Sequence, residues 1–369
     1  MKIGIDATSL CRKLTGIESY ALNLIKEILK SGLDLEFIIL FRKEVHPELA
    51  QFRNKAKFLI CPFKQQILCE QVWLPFIAVR EKVDLMHFPA FPPGILTFIK
   101  FVFTIHDANV WRHPETLSWK GKLYFKPLTI LGAKRASSII TVSESSQRGI
   151  ANHTNIPINK IINTYEGISE SFRLLSNSNI VESIKFKYNL LEKIILSVNS
   201  IEPRKNISRL LDAFSILKKK SGFIHKLVLV GRQAWGQNEI ADKVKCLKLE
   251  NDIIMLGYVP IDDLIALYNF ADLFVFPSIY EGFGLPPLEA MACGVPIVAS
   301  KIPTLQEIIG DAAVFIDPYD ANDIASKIEG VIGDSRTYAD LREKGLKRVK
   351  LFSWLKVVEK TIDVYKSIR

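Results

Sequence analysis

Long apolar runs are missing from this chain of 369 residues. The longest candidates, around Gly94 to Ile105, are broken by Lys100, so nothing approaches the roughly 20 residues that cross a bilayer as a helix. Cysteine is sparse: Cys11, Cys61, Cys69, Cys246 and Cys293 are scattered, odd in number and without a C-x-x-C spacing. That pattern suggests neither a disulfide framework nor a zinc site, and it suits a reducing cytoplasm. The histidines, His87, His113 and His153 among them, have no ligand spacing, so neither a metal nor a cofactor is expected. There is no short-period repeat and no low-complexity tract. The opening residues, M-K-I-G-I-D-A, go straight into a strand pattern with no apolar leader. The expectation is a cytoplasmic protein, soluble or peripheral at a membrane.

What is present is a globular composition, 48% hydrophobic and 24% charged, in a chain long enough for two domains. The formal charge of +10 is unevenly spread: residues 1–180 carry 23 Lys+Arg against 15 Asp+Glu, and residues 181–369 carry 26 against 24. The first half is therefore +8 and the second +2. A basic excess suits nucleic acid, anionic lipid or a phosphorylated substrate, and charge alone does not choose among them.

Strand-like runs alternate with helical ones throughout. In the first half they are Lys2 to Asp6, Leu35 to Phe41, Leu85 to Phe88, Phe101 to Ile105 and Ser138 to Val142. After a polar, Asn/Ser-rich stretch from Arg173 to Val181, a second series follows: Ile194 to Val198, Leu227 to Val230, Ile253 to Leu256, Leu273 to Phe276, Pro296 to Ala299 and Ala313 to Ile316. Such alternation predicts α/β domains with parallel sheets. Two Rossmann-like halves are expected, over residues 1–175 and 182–350, with an amphipathic helix at 354–369 whose apolar positions are Leu355, Val358, Ile362 and Tyr365.

Residues 281 to 289, E-G-F-G-L-P-P-L-E, carry the most chemistry. The apolar runs on either side read as buried parallel strands, and Pro286 and Pro287 fit the first turn of the helix between them, where a missing N–H costs nothing. Glu281, Gly282, Phe283, Gly284 and Leu285 then form the loop at a strand's carboxyl end, where open α/β sheets bind ligands. Glu281 suits hydroxyls of a bound group, and Glu289 suits a ribose diol; helix capping and an ordinary loop glutamate are the plainer alternatives. After the first strand of the second half comes E-P-R-K-N, whose Arg204 and Lys205 suit a diphosphate at a helix start. A solvated surface pair is the alternative there.

Further strand-end turns are Gly231 and Gly257-Tyr258-Val259, which suit a base pocket or plain turns. In the first half, Thr15-Gly16-Ile17-Glu18 enters a helix, a place for anion approach, and His106-Asp107 ends the apolar strand F-V-F-T-I. The stretch Trp119 to Arg135 interleaves aromatics with cations, which suits a membrane interface or the cover of an ordinary core.

Taken in order, D-A-T-S-L, T-G-I-E-S-Y, T-I-H-D, T-V-S-E-S-S, E-P-R-K-N, L-V-L-V-G and Y-E-G-F-G-L-P-P-L-E-A-M-A-C-G-V-P-I-V-A-S resemble family 4 of the retaining glycosyltransferases over nearly the whole chain. The resemblance implies a GT-B architecture, with the acceptor on the first domain and a nucleotide-sugar on the second, and a metal-independent reaction that retains anomeric configuration. It further implies that Arg204 and Lys205 stabilise the leaving diphosphate and that Glu289 holds the ribose. Glu281 with the amides of Phe283, Gly284 and Leu285 would position the sugar, and His106 would contact it. The chain departs from many relatives at Asn199-Ser200, where they have an arginine, and at Glu166-Gly167, where they have Asn-Gly. The motif E-P-R-K-N points to mannosyltransferase-type enzymes of surface polysaccharide or O-antigen synthesis, with GDP-mannose ahead of a UDP-sugar and a polyprenyl-diphosphate-linked acceptor at the inner membrane face. The rivals are an epimerase or a synthase acting on soluble acceptors, and a non-enzymatic binder of anionic lipid or nucleic acid.

Overall fold

The computed structural model describes residues 1–11, 16–112, 124–176, 178–232 and 237–368. The chain divides into two compact units, Met1–Gly167 with Ser353–Arg369, and Ile168–Phe352.

The first unit is built on a seven-stranded sheet. Its strands are β1 (Lys2–Asp6), β2 (Glu36–Phe41), β3 (Lys57–Ile60), β4 (Leu85–Phe88), β5 (Phe101–Thr104), β6 (Ser138–Thr141) and β7 (Ile161–Asn163). They lie in the order β3-β2-β1-β4-β5-β6-β7, and every pairing is parallel. The central strands β4, β5 and β6 are buried at every position, which is why they read as short continuous apolar runs. The two edge strands escaped the sequence reading. β3 exposes Lys57 and Ile60, and β7 is only three residues long, so neither has a clear pattern.

The helix Trp354–Ser367 belongs to this unit. It buries Trp354, Val357, Val358, Ile362 and Tyr365, whereas Leu355, expected on its apolar face, is 64% exposed. Trp354 takes that place, packed on Tyr20 with ring centroids 5.8 Å apart and lying where Gly167 leaves room for no side chain. On the same helix, the Tyr365 hydroxyl lies 2.6 Å from Nδ1 of His87, whose Nε2 is 2.8 Å from the Thr104 hydroxyl. His87 is fully buried, and burial pushes its pKa down to about 3, so it is neutral.

The second unit carries β8 (Ile194–Val198), β9 (Lys226–Val230), β10 (Ile253–Gly257), β11 (Leu273–Phe276), β12 (Ile297–Ser300) and β13 (Val314–Ile316). They are ordered β10-β9-β8-β11-β12-β13, again all parallel. This is the doubly wound order in which the chain runs outward one way from β8 and the other way from β11. A crevice opens at the carboxyl ends of those two neighbouring strands. Helix Ile207–Lys218 covers the sheet with Leu210, Leu211, Phe214 and Leu217 in a core shared with β8, β9 and β11. The stretch read as linker-like, from Arg173, leads into the helix Ser178–Lys187 of this unit.

Candidate active site

The loops leaving β8 and β11 flank the crevice of the second unit, and they are stitched together. Asn206, in the left-handed conformation at φ 58°, closes the short turn Pro203–Lys205. Its side-chain amide donates to the carbonyls of Pro277, at 3.1 Å, and Pro318, at 2.6 Å. The Ile279 amide donates to the Arg204 carbonyl at 2.8 Å. Those bonds fix the backbone that presents Arg204 and Lys205 against the residues after β11.

Glu281 sits between the two cations. Lys205 donates to its Oε1 at 2.6 Å and Arg204 to its Oε2 at 3.3 Å. Arg204 also reaches Glu202, at 2.9 Å, and the Tyr280 carbonyl. Lys205 is 8% exposed and Glu281 7%, so the pair lies largely out of water, with the Lys205 ammonium 5.5 Å from the centroid of Phe276. Burial pushes the Glu281 carboxyl up, but the charges of Lys205 and Arg204 and the Lys205 hydrogen bond outweigh it. The group is held below the ordinary carboxylate range and is ionised at neutral pH.

Beyond Glu281 the backbone turns sharply at Gly284, φ 100°, where a side chain would press on Leu305. The helix Leu285–Ala292 follows, with Pro286 and Pro287 in its first turn. Because those prolines bring no N–H, Gly284 and Leu285 supply the amides at this helix end. Glu289 lies on the same helix, partly exposed by surface area, with its Oε2 accepting from the Tyr268 hydroxyl at 2.8 Å. Burial pushes its pKa up to about 7, and the Tyr268 hydrogen bond offsets that only in part. The two glutamates of the nine-residue motif therefore sit in opposite electrostatic settings.

Gly231 and Gly257 end β9 and β10 on the other side of β8. Gly231 adopts φ 141° and lies so close to the loop after β8 that a Cβ would come within 2.0 Å of the Asn199 carbonyl oxygen. Its amide donates to Gly257 at 2.8 Å, which binds the two strand ends together. Val259 is buried, while Tyr258 is 72% exposed with the Arg232 guanidinium 6.0 Å from its ring centroid. Arg232 was not singled out from the sequence, although its place directly after a strand-end glycine is a usable signal. Tyr268 and Glu202 were likewise missed, because each acts by holding another side chain rather than through a motif of its own.

In the first unit, His106 follows β5 and is pinned on both edges. Its Nε2 lies 3.0 Å from the Pro89 carbonyl, which can only accept, so this nitrogen carries the hydrogen. Nδ1 lies 3.6 Å from Glu166, and the ring stands edge-on to Tyr20 at 4.8 Å. Asp107 accepts from the Asn109 amide at 2.8 Å and so starts the turn Asn109–Arg112. Gly16 opens the helix Gly16–Lys30 with nothing within 4 Å of a would-be Cβ, so packing does not demand glycine there. Thr15 lies outside the described residues, as do His113 and residues 119–123 of the aromatic and basic stretch. At the end of β1, Asp6 is buried and its carboxyl is pushed up to about 6, even though the Thr8 amide donates to it at 2.9 Å. Among the described residues no group of His, Cys, Asp and Glu has a metal-binding arrangement.

Two doubly wound parallel sheets, one carrying an Arg-Lys-Glu cluster at its switch point, make up the GT-B architecture. The chain belongs to glycosyltransferase family 4: residues 14–172 match the model described as Glycosyltransferase Family 4, and residues 181–348 match that of Glycosyl transferases group 1. Among curated proteins it is 32% identical to the O-antigen chain mannosyltransferase B of Escherichia coli, over 99% of this chain and all of that protein. It is also 36% identical to the serotype-specific mannosyltransferase WbdA of Escherichia coli, over 62% of this chain but only 29% of that longer protein. Among solved structures, Anabaena Alr3699/HepE in complex with UDP and glucose superposes with a TM-score of 0.78 at 20% identity, covering both chains completely.

Proposed function

We propose that this glycosyltransferase moves mannose from GDP-mannose, with retained anomeric configuration and without a metal, to a glycan carried on a polyprenyl diphosphate. The product would be an O-antigen or a related surface polysaccharide, built at the inner face of the cell membrane. The observation that carries the reading is the Arg204–Lys205–Glu281 cluster at the β8/β11 switch point. Breaking the sugar–phosphate bond sends negative charge onto the departing diphosphate, and two cations already fixed in a dry crevice stabilise that charge without reorganising. Glu281, with the backbone from Gly282 to Leu285, takes the sugar hydroxyls. Glu289 takes the ribose, and the strand ends at Gly231, Tyr258 and Val259 take the base. Gly16, His106 and Asp107 enter the proposal from the family resemblance. Mannose rests on the end-to-end likeness to a protein named as a mannosyltransferase. The rival donor is a UDP-sugar, favoured by the UDP-bound structural neighbour.

The test is transfer from GDP-mannose or UDP-glucose to a synthetic polyprenyl-diphosphate oligosaccharide, read by mass and by the anomeric coupling constant of the product. Transfer from UDP-glucose alone replaces the base and sugar but keeps the site. Before any acceptor is at hand, a donor at about 100 times its dissociation constant should add roughly 2.7 kcal/mol to stability. No thermal shift and no transfer with any nucleotide-sugar would refute the proposal.

A further inference from the structure

We propose that Glu166 is a positioning residue for His106: its buried carboxylate favours the protonated ring and fixes it by Nδ1, so that a ligand at the carboxyl edge of β5 meets a held positive charge. The pairing is argued from the first unit alone; only its effect on sugar transfer rests on the proposed function.

Both side chains are aimed by their backbones. His106 lies just beyond β5, where the Ile105 amide donates to the Ile140 carbonyl at 2.9 Å and the Thr141 hydroxyl donates to the Ile105 carbonyl at 2.8 Å. Glu166 lies just beyond β7, in a turn that buries it. The Thr164 amide donates to the Thr141 carbonyl at 3.0 Å, and the Tyr165 amide to the Asn163 side chain at 2.9 Å. Tyr165 takes the left-handed conformation at φ 63°, which is uncommon for a residue other than glycine. Gly167 is then backed against Trp354, where a Cβ would come within 2.5 Å of the indole and of the backbone nitrogen. The Lys360 ammonium stands 4.9 Å from the centroid of the Tyr165 ring. The helix Trp354–Ser367 thus clamps the turn on both sides of Glu166.

The hydrogen-bond inventory decides what the pair does. A carbonyl and a carboxylate only accept, and a neutral imidazole has one N–H. His106 gives its Nε2 hydrogen to the Pro89 carbonyl at 3.0 Å, so a neutral ring would turn the Nδ1 lone pair on Oε1 of Glu166, 3.6 Å away. A protonated ring places an N–H there instead. At 3.6 Å the contact is one of charge rather than a full hydrogen bond, and burial strengthens it, since the two side chains are only 12% and 8% exposed.

Among the described residues His106 is the only ion-pair partner of Glu166. Tyr20, edge-on to the His106 ring at 4.8 Å, stays neutral because burial, aided by the charge of Glu166, pushes its hydroxyl well up. His87 is neutral too, pushed down to about 3 by burial and by charge on His106. The adjacent carboxylate, Asp107, is turned to the Asn109 amide. With both ring nitrogens of His106 occupied, the edge left to a ligand offers positive charge rather than a free N–H.

The test is the titration of His106 in the full chain, followed through its ring ¹⁵N shifts, with the signal assigned among the six histidines by its loss in His106→Gln. In Glu166→Gln, which keeps the shape and removes the charge, the His106 midpoint should move to lower pH by about one unit or more, with the fold retained by circular dichroism. Glu166→Asn should do the same, and Glu166→Asp should restore part of the difference. Above both midpoints the protonated fraction falls about tenfold for each unit of displacement, so kcat for sugar transfer should drop about tenfold there, stay unchanged below both, and leave the donor KM nearly as it was. An unmoved midpoint in the Gln and Asn variants overturns the pairing, and a moved midpoint with an unmoved pH profile of kcat overturns the positioning role. No transfer by the parent chain with any nucleotide-sugar would refute the proposed function instead, and the titration would still decide the pairing.

Discussion

Glu289→Gln should make the protein more stable at pH 8 and a poorer enzyme. Burial raises the Glu289 carboxyl from its ordinary value of 4.5 to about 7. Between those two values the folded chain holds a proton that the unfolded chain has released, so stability falls as pH rises through this window. At about 1.36 kcal/mol for each pH unit between them, that rise sets a ceiling of about 3 kcal/mol. Gln is isosteric, does not titrate, and keeps an oxygen for the Tyr268 hydroxyl. The substitution should therefore be nearly neutral at pH 4.5 and stabilise by up to about 3 kcal/mol at pH 8, or roughly 6–12 °C for a unit of this size. Thermal unfolding of both proteins across this pH range measures the difference directly, and subtraction cancels the similar contribution of Asp6, which is raised to about 6. Under the proposed function the same change removes an acceptor from the ribose and raises the donor KM. A pH profile unchanged by the substitution would show that Glu289 is not the titrating group, and the electrostatic contrast with Glu281 would fall with it.

Lys205→Ala and Glu281→Ala should each lower transfer by about 10²–10³-fold with the fold retained, as measured by initial rates and circular dichroism; full activity in either removes the site assignment. Lys205→Ala should also cost about 1–3 kcal/mol in denaturant unfolding, less than a fully orphaned pair, because Arg204 remains 3.3 Å from the carboxylate. Gly231→Ala should destabilise by about 2 kcal/mol or more, since its Cβ would meet the Asn199 carbonyl at 2.0 Å and φ is positive; a neutral result by thermal unfolding would mean that the loop after β8 moves freely. Tyr365→Phe should cost about 1–3 kcal/mol by leaving His87 Nδ1 unpaired in the core, and hydrogen exchange should show the helix Trp354–Ser367 loosening before the sheet.

The sheets were legible where burial was complete on both faces. The runs F-V-F-T and L-F-V-F are buried at every position, and nothing but a central parallel strand fits them. The edges β3 and β7 were not, since edge strands owe their existence to a neighbour's hydrogen bonds more than to their own side chains. The candidate-site loops were legible because glycine, proline and charge cluster at the ends of such runs. Residues that position them were not: Tyr268 lies in an unremarkable amphipathic helix, and its bond to Glu289 joins positions 21 apart. Leu355 misled for a related reason. Helical periodicity fixes the spacing of a buried stripe, but its rotation about the axis is decided by the partner, and the bulk of Trp354 against Tyr20 turned it by one residue.

Two glutamates eight residues apart resemble a catalytic dyad, and their surroundings argue against that role. In a dyad one carboxyl is ionised because it shares a proton with the other; here each state has its own cause. Glu281 is ionised because Lys205 and Arg204 outweigh its burial, and it cannot donate a proton at neutral pH. Glu289 is pushed up to about 7 by burial, which the hydrogen bond from Tyr268 offsets only in part. The cations paired with Glu281 and Glu202 leave the cluster close to charge balance. Under the proposed function, a diphosphate there would meet oriented donors rather than a bare positive field, and its binding would compete with Glu281 for Lys205. A sugar whose hydroxyls satisfy Glu281 would lower that cost, which would couple recognition of the sugar to capture of the phosphates.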